Sequence, residues 1–228
     1  MSYYQSELAR IHHEAFSDYA RSAAPGVLAS LGEPCGVVEL GCGGGALTRP
    51  LLDAGHRVIA TDASSAMLDL ARQAVPEADI RFLRLPDDPI PSTDAVVAVG
   101  TVFNYLDSEV YIDRALLGAA RAGRILITDL LDLSYGDTRR EPVKYFHEGD
   151  GWRLWTVNSL ETPDRVVRQM TIETADGITN EVHINVLVDV AEVADKLRSE
   201  GLAVSTSSGF GYETLPPGFV VLEARRPG

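Results

Sequence analysis

Cysteine is almost missing from this chain: Cys35 and Cys42 are the only two in 228 residues. That is too few for a disulfide framework, and no Cys or His run has zinc-ligand spacing, so no metal is expected. Clusters of Lys and Arg are missing too. With a formal charge of −13, the chain lacks the basic footprint that holds a phosphate backbone, which argues against nucleic acid as a partner. No window is long and apolar enough to span a membrane, and no membrane association is expected. The opening Met1 to Glu7 has neither a basic start nor an apolar core, so no secretory leader is expected and cytoplasmic residence follows. Internal repeats and low-complexity tracts are absent as well. What remains has 45% hydrophobic residues, enough for one substantial core and a small embellishment. A small molecule is the expected partner, and the chain is expected to act as a monomer or homodimer.

The most informative segment is Val37 to Leu47. Val37 to Leu40 is a short β-branched and apolar run, which suits a buried parallel strand. Glycine then crowds the turn at Gly41, Gly43, Gly44 and Gly45. Without a Cβ, Gly41 and Gly43 let the backbone bend sharply and let a ligand approach the main chain. Ala46 to Leu52 continues as a helix that Gly55 stops, and a second strand, Arg57 to Thr61, ends at Asp62. An acid about 20 residues after the first glycine is placed to accept both hydroxyls of a ribose. Ser64 to Ala74 reads as the next helix, with Ser64, Ser65 and Met67 beside the base.

Glycine spacing alone also fits a dinucleotide fingerprint, because Gly41, Gly43 and Ala46 satisfy G-x-G-x-x-A. Glu39, two residues before the first glycine, tilts the balance. An acid there suits a ligand bearing an ammonium and a cationic sulfur better than it suits a pyrophosphate. Further strands follow at Ile80 to Arg84, Asp94 to Gly100 and Arg124 to Asp129.

On these residues the chain resembles the class I S-adenosylmethionine-dependent methyltransferases of the small-molecule type. The resemblance runs from about residue 2 to Thr128 and resumes near Ala191 to Arg225. It implies an α/β, Rossmann-like, doubly wound and mostly parallel seven-stranded sheet with an antiparallel closing strand. It also implies S-adenosylmethionine as cofactor, with S-adenosylhomocysteine as product. The cofactor set expected from motif and resemblance is Glu39, Gly41, Cys42, Gly43, Asp62, Ala63, Met67, Leu85, Pro86 and Gly100. Gly41 and Gly43 would meet the methionine part, Asp62 the ribose, and Ala63 and Met67 the adenine. After the third strand the family usually carries an acid for the adenine amino group. Here Leu85 and Pro86 stand in that place, so either the Leu85 main chain or the Asp87 side chain is left to supply the contact. Ala122-Gly123 also stands where the family more often has Pro-Gly.

Four regions are expected: an N-terminal helical lid (1–32), a cofactor-binding core (33–130), an antiparallel β insertion over the acceptor pocket (131–189), and a closing helix with a strand pair (190–228). Leu8, Ile11, His12, Ala15, Phe16 and Tyr19 fall at helical spacing, and Pro25 is read as opening a second helix that ends at Gly32. The first helix is either a lid that excludes water or an amphipathic helix packed on the sheet. The insertion shows three strand-like runs, 151–161, 165–175 and 178–188, joined at Pro163-Asp164 and Asp176-Gly177. In the third run Glu181, His183, Asn185 and Leu187 alternate with Val182, Ile184, Val186 and Val188, so one face should pack. Trp152, Arg153 and Trp155 are possible acceptor contacts, although at least one of the tryptophans is expected in the core. Tyr212 is another candidate.

A sulfonium already activates its methyl group, which leaves the protein alignment and desolvation. If the acceptor needs a base, His12 and His147 are the best placed of His12, His13, His147 and His183. Tyr105, with Asn104, follows the fourth strand and ranks above any single histidine. Methyl transfer to oxygen or nitrogen is therefore the leading reading. A cofactor-binding sensor or partner subunit without transfer activity is the alternative, and an NAD-dependent oxidoreductase is a more distant one.

Overall fold

The computed structural model describes residues 3–211 and 214–227; Tyr212 and the first two residues lie outside that range. In chain order the elements are α1 (Ser6–Ala15), α2 (Asp18–Leu31), β1 (Gly36–Leu40), α3 (Thr48–Asp53), β2 (Arg57–Asp62), α4 (Ser65–Ala74), β3 (Asp79–Phe82) and β4 (Ala95–Ala98). A 3-10 turn (Val102–Tyr105), α5 (Glu109–Ala122), β5 (Ile125–Leu131), α6 (Ser134–Asp137) and the strands β6 (Val143–Gly149), β7 (Trp152–Thr162), β8 (Arg165–Thr174) and β9 (Gly177–Val186) follow. The chain closes with α7 (Val190–Ser199), β10 (Ala203–Ser207) and β11 (Phe219–Arg225).

Seven strands form one sheet in the order β10-β11-β5-β4-β1-β2-β3. The five from β1 to β5 run parallel, while β11 runs antiparallel to both of its neighbours. Alternation along β1 sends Val38 and Leu40 to one face and Val37 to the other. Each face has its own core: Val38, Leu40, Val96 and Ala98 pack with α5 and α7, and Val37, Val97 and Ala95 pack with α2, α3 and α4. Burial on both faces explains why these strands read as unbroken apolar runs. From β1 the sheet continues to β2 and β3 on one side and to β4 and β5 on the other. This reversal leaves a crevice at the carboxyl ends of β1 and β4, where open α/β sheets take their ligands.

The remaining strands make a separate antiparallel sheet, β6-β7-β8-β9. The expected three strands are thus four. Strand β6 is the addition: an almost entirely exposed edge with no buried alternation to mark it. The chain leaves the parallel sheet after β5 and returns beside it through a bridge between Asp132 and Val188. On β9 the buried face is the polar one: Glu181, His183 and Asn185 are 7%, 1% and 1% exposed, while Val182 is 49% exposed.

Helix α1 lies between this second sheet and α4. Its Leu8 and Ile11 pack with Trp152, Leu154, Met170 and Ile172, a burial of roughly 1.5–3 kcal/mol per large apolar side chain. The helix stops at Ala15, short of Tyr19, because Ser17 turns its hydroxyl onto the His13 carbonyl at 2.7 Å. Pro25 sits inside α2 rather than at its start. The missing N–H costs a helical bond, but Ala23, Ala24, Val27 and Leu31 bury the face on which α2 sits.

Candidate active site

The turn after β1 is tied to the end of β2, since the Cys42 N–H donates to the Thr61 carbonyl at 2.9 Å. Gly41 has φ +68°, and a Cβ there would stand 2.6 Å from Val102 Cγ2, so only glycine lets the turn pass so close to the loop after β4. Asp62 at the tip of β2 fixes the rest. Its Oδ2 accepts the Gly43 N–H at 3.0 Å and its Oδ1 accepts the Ser64 N–H at 2.8 Å. Burial raises the Asp62 pKa, and the bonds from Ser64, Gly43 and Ala63 work in the opposite direction. Ser64 caps α4 by accepting the Met67 N–H at 3.3 Å.

A cavity of about 410 Å³ opens above these residues, within the roughly 300–1,000 Å³ usual for small-molecule sites. Gly41, Gly43, Asp62, Ala63, Met67, Leu85, Pro86, Gly100, His12 and Tyr105 all line it, as do Arg84 and Asp87. The sequence therefore places ten of its candidates on one surface.

Three candidates lie elsewhere. Glu39 is 2% exposed and bonded to the Thr48 hydroxyl at 2.6 Å. It shares the β1 face that α3 covers, so its carboxylate does not reach the cavity to meet an ammonium. Burial raises its pKa to about 8, against the opposing bond from Thr48. Cys42 is buried among Val37, Leu47 and Leu51. His147 is on exposed β6, with its ring 5.0 Å from that of Phe16, and does not line the cavity. Of the three residues suggested as acceptor contacts, Trp152 is core, Trp155 stacks near Phe146 at 5.3 Å, and Arg153 is exposed.

The N-terminal segment forms one wall of the cavity. Glu181 on β9 accepts the N–H groups of Tyr4 and Gln5 at 3.0 and 2.9 Å, and His183 Nε2 lies 2.9 Å from the same carboxylate. The Ser64 hydroxyl donates to the Tyr4 carbonyl at 2.8 Å, and the Tyr4 and Tyr105 hydroxyls are 2.9 Å apart. Tyr4 has φ +55°, a costly conformation for a tyrosine that these bonds hold in place. Burial lowers the His12 pKa to about 4, with Arg168 adding to the effect.

Two further residues hold the loop after β4 that lines the cavity: Asp129, which the sequence did not single out, and Asn104, which it named beside Tyr105. Asp129, fully buried within β5, accepts the Gly100 and Thr101 N–H groups at 2.8 and 3.0 Å and the Tyr19 hydroxyl at 2.6 Å. Burial raises its pKa and these donors oppose the rise. The signal in the sequence is an acid closing the apolar run Ile125 to Thr128. Asn104 joins the Tyr105 loop to both sheets. Its Nδ2 donates to the Val186 and Leu131 carbonyls at 2.6 and 3.2 Å, and its Oδ1 accepts the Leu131 N–H at 2.9 Å.

Residues 37–123 match the family model for a Methyltransferase domain. The glycine turn after β1 and Asp62 both lie inside that match. No curated protein matches the chain. Solved structures that share its fold include an S-adenosylmethionine-dependent methyltransferase from Clostridium acetobutylicum (TM-score 0.79, 14% identity, covering 97% of this chain and 98% of that one). The CcbJ methyltransferase from Streptomyces caelestis has a TM-score of 0.79 at 17% identity, covering 100% and 99%. An amino pentose methyltransferase from Micromonospora echinaspora, solved with S-adenosylmethionine bound, has a TM-score of 0.74 at 18% identity, covering 100% and 99%. The fold shared with these structures thus spans nearly the whole chain.

Proposed function

We propose that this protein transfers a methyl group from S-adenosylmethionine to a small-molecule acceptor, at oxygen or nitrogen. The observation that carries the reading is Asp62, which braces the Gly43 turn from the tip of β2 at the edge of a cavity at the sheet's switch point. The residues present suit the cofactor. Gly41 and Gly43 offer main chain without Cβ atoms, Asp62 offers a carboxylate for the ribose diol, and Ala63, Met67 and Leu85 offer apolar surface for the base. When bound, the cofactor supplies a methyl group on a positively charged sulfur, ready for in-line displacement.

The protein's part is alignment and exclusion of water. The Tyr4 segment and α1 act as a lid whose closed position Glu181 and Ser64 hold. Tyr105 and His12 border the side from which an acceptor would approach. His12 is neutral at physiological pH and can take a proton from an acceptor O–H or N–H without first losing one. Amino pentose and sugar N-methyltransferases among the structural relatives support a small polar acceptor.

The test is transfer of labelled methyl from S-adenosylmethionine to a panel of small amines and alcohols, run beside calorimetry with S-adenosylhomocysteine and with NAD. Labelled product and a preference for the sulfur nucleoside are expected. Tighter binding of NAD would overturn the reading.

A further inference from the structure

The buried face of the second sheet holds an Arg that no acid neutralises. Arg168 on β8 stands directly between Asn158 on β7 and His183 on β9, and directly opposed residues share a face. Among the described residues no ion pair includes Arg168. The one acid on that face, Glu181, is committed to the Tyr4 and Gln5 N–H groups and to His183. Around Arg168 stand three polar atoms without partners, Asn158 Oδ1, His183 Nδ1 and Asn185 Nδ2, on side chains that are 4%, 1% and 1% exposed. Buried polar atoms are rarely left so, and a cluster of them facing one cation is a strong departure from the rule.

This face adjoins the cofactor cavity. The groups that sense the Arg168 charge include Tyr4, Tyr105 and His12, all of which line the cavity. Tyr4 and Tyr105, whose hydroxyls are bonded at 2.9 Å, line that cavity on one side and lie 4.8 and 5.7 Å, ring to ring, from His183 on the other. Tyr4 precedes α1, so its displacement would open this face to the cavity.

We propose that the polar face of the second sheet is the acceptor subsite, and that the acceptor carries a compact oxyanion, carboxylate or phosphate, which pairs with Arg168. This rests on the methyl-transfer reading for the word acceptor, while the anion site itself does not. Asn185 Nδ2 adds a neutral donor to the oxyanion. Asn158 Oδ1 and His183 Nδ1 accept from an N–H or O–H on the same molecule, His183 being the tautomer that donates through Nε2 to Glu181.

The test uses the full chain saturated with S-adenosylhomocysteine, with sodium acetate and inorganic phosphate as probes against sodium chloride at equal ionic strength. One or both oxyanions should raise the Tm of the wild type above chloride, and the better probe identifies carboxylate or phosphate as the group recognised. In Arg168→Met, binding of that probe should weaken roughly tenfold or more, with S-adenosylhomocysteine affinity unchanged. Without anion the variant should be at least as stable as the wild type, since a half-buried cation with no acid partner has been removed. Equal shifts in both proteins, no oxyanion-specific shift in the wild type, or a lowered Tm of the variant in chloride would overturn the proposal. If the variant does not fold, the wild-type titration still decides it, because an unresponsive wild type sinks the site. Failure to bind S-adenosylhomocysteine at the outset would sink methyl transfer instead, and the oxyanion titration would then be read on the unliganded chain.

Discussion

A single carboxylate, Asp62, both shapes the glycine turn and presents itself to the cavity. Asp62→Ala should weaken S-adenosylhomocysteine binding by roughly 1.5–3 kcal/mol, as expected when charge-assisted bonds are lost; calorimetry measures this, and unchanged affinity would remove Asp62 from the site. Glu39 provides a pH prediction of definite sign. Its pKa is about 8 in the folded chain and near 4.5 when unfolded, so between those values the native state holds a proton that the unfolded state has released. Stability from this group is full below about pH 4.5 and is lost as pH rises toward 8. Glu39→Gln should flatten the fall of Tm across that window, most visibly near pH 8, as followed by thermal melts. These two acids also mark what was legible at this scale. Glycine spacing and the strand-end acid pointed to residues that share the cavity wall, because a β-turn-α-β corner admits few geometries. Glu39 stands off the cavity wall because strand parity turns it toward α3, and the nearness of Thr48 leaves no mark in the sequence. Asp129 was passed over because its donors, Gly100, Thr101 and Tyr19, come together only in the fold.

The N-terminal segment and β9 act together as an element. Glu181→Ala leaves the Tyr4 and Gln5 N–H groups without their acceptor, which costs about 1 kcal/mol for each part-buried bond. Hydrogen exchange at those two amides should accelerate, and kcat should fall as the closed position is populated less; unchanged exchange would show that the carboxylate does not hold the segment. The long strands β7 to β9 could be read from their turns, since Pro163-Asp164 and Asp176-Gly177 bound them tightly. Strand β6 could not, because an exposed edge pairs through its backbone, whatever side chains it carries. The alternation on β9 was plain, but which face packs was not: the usual rule favours Val182 and Ile184, whereas the buried side is Glu181, His183 and Asn185. That inversion follows from what the face meets, the polar Tyr4 segment and the Tyr105 loop in place of an apolar layer.

For the molecule as a whole, a nucleoside seated between the parallel sheet and the lid should couple binding to global stability. At 100 times its Kd, S-adenosylhomocysteine should add about 2.7 kcal/mol and raise Tm by roughly 5–10 °C for a chain of this size, with NAD giving no comparable rise; differential scanning fluorimetry checks this. The doubly wound class was legible because alternating strand and helix patterns leave little choice of architecture. The meeting of the two sheets depends on contacts between residues far apart in sequence and was not. The second sheet departs and returns at one place. Asp132 pairs with Val188, and its carboxylate accepts the Ser134 and Val190 N–H groups at 2.9 and 3.3 Å, so residues 133–187 leave and rejoin the parallel layer at almost the same place. The second sheet thus hangs from a single junction, and a different four-stranded sheet could be grafted there while the glycine turn and Asp62 stay intact.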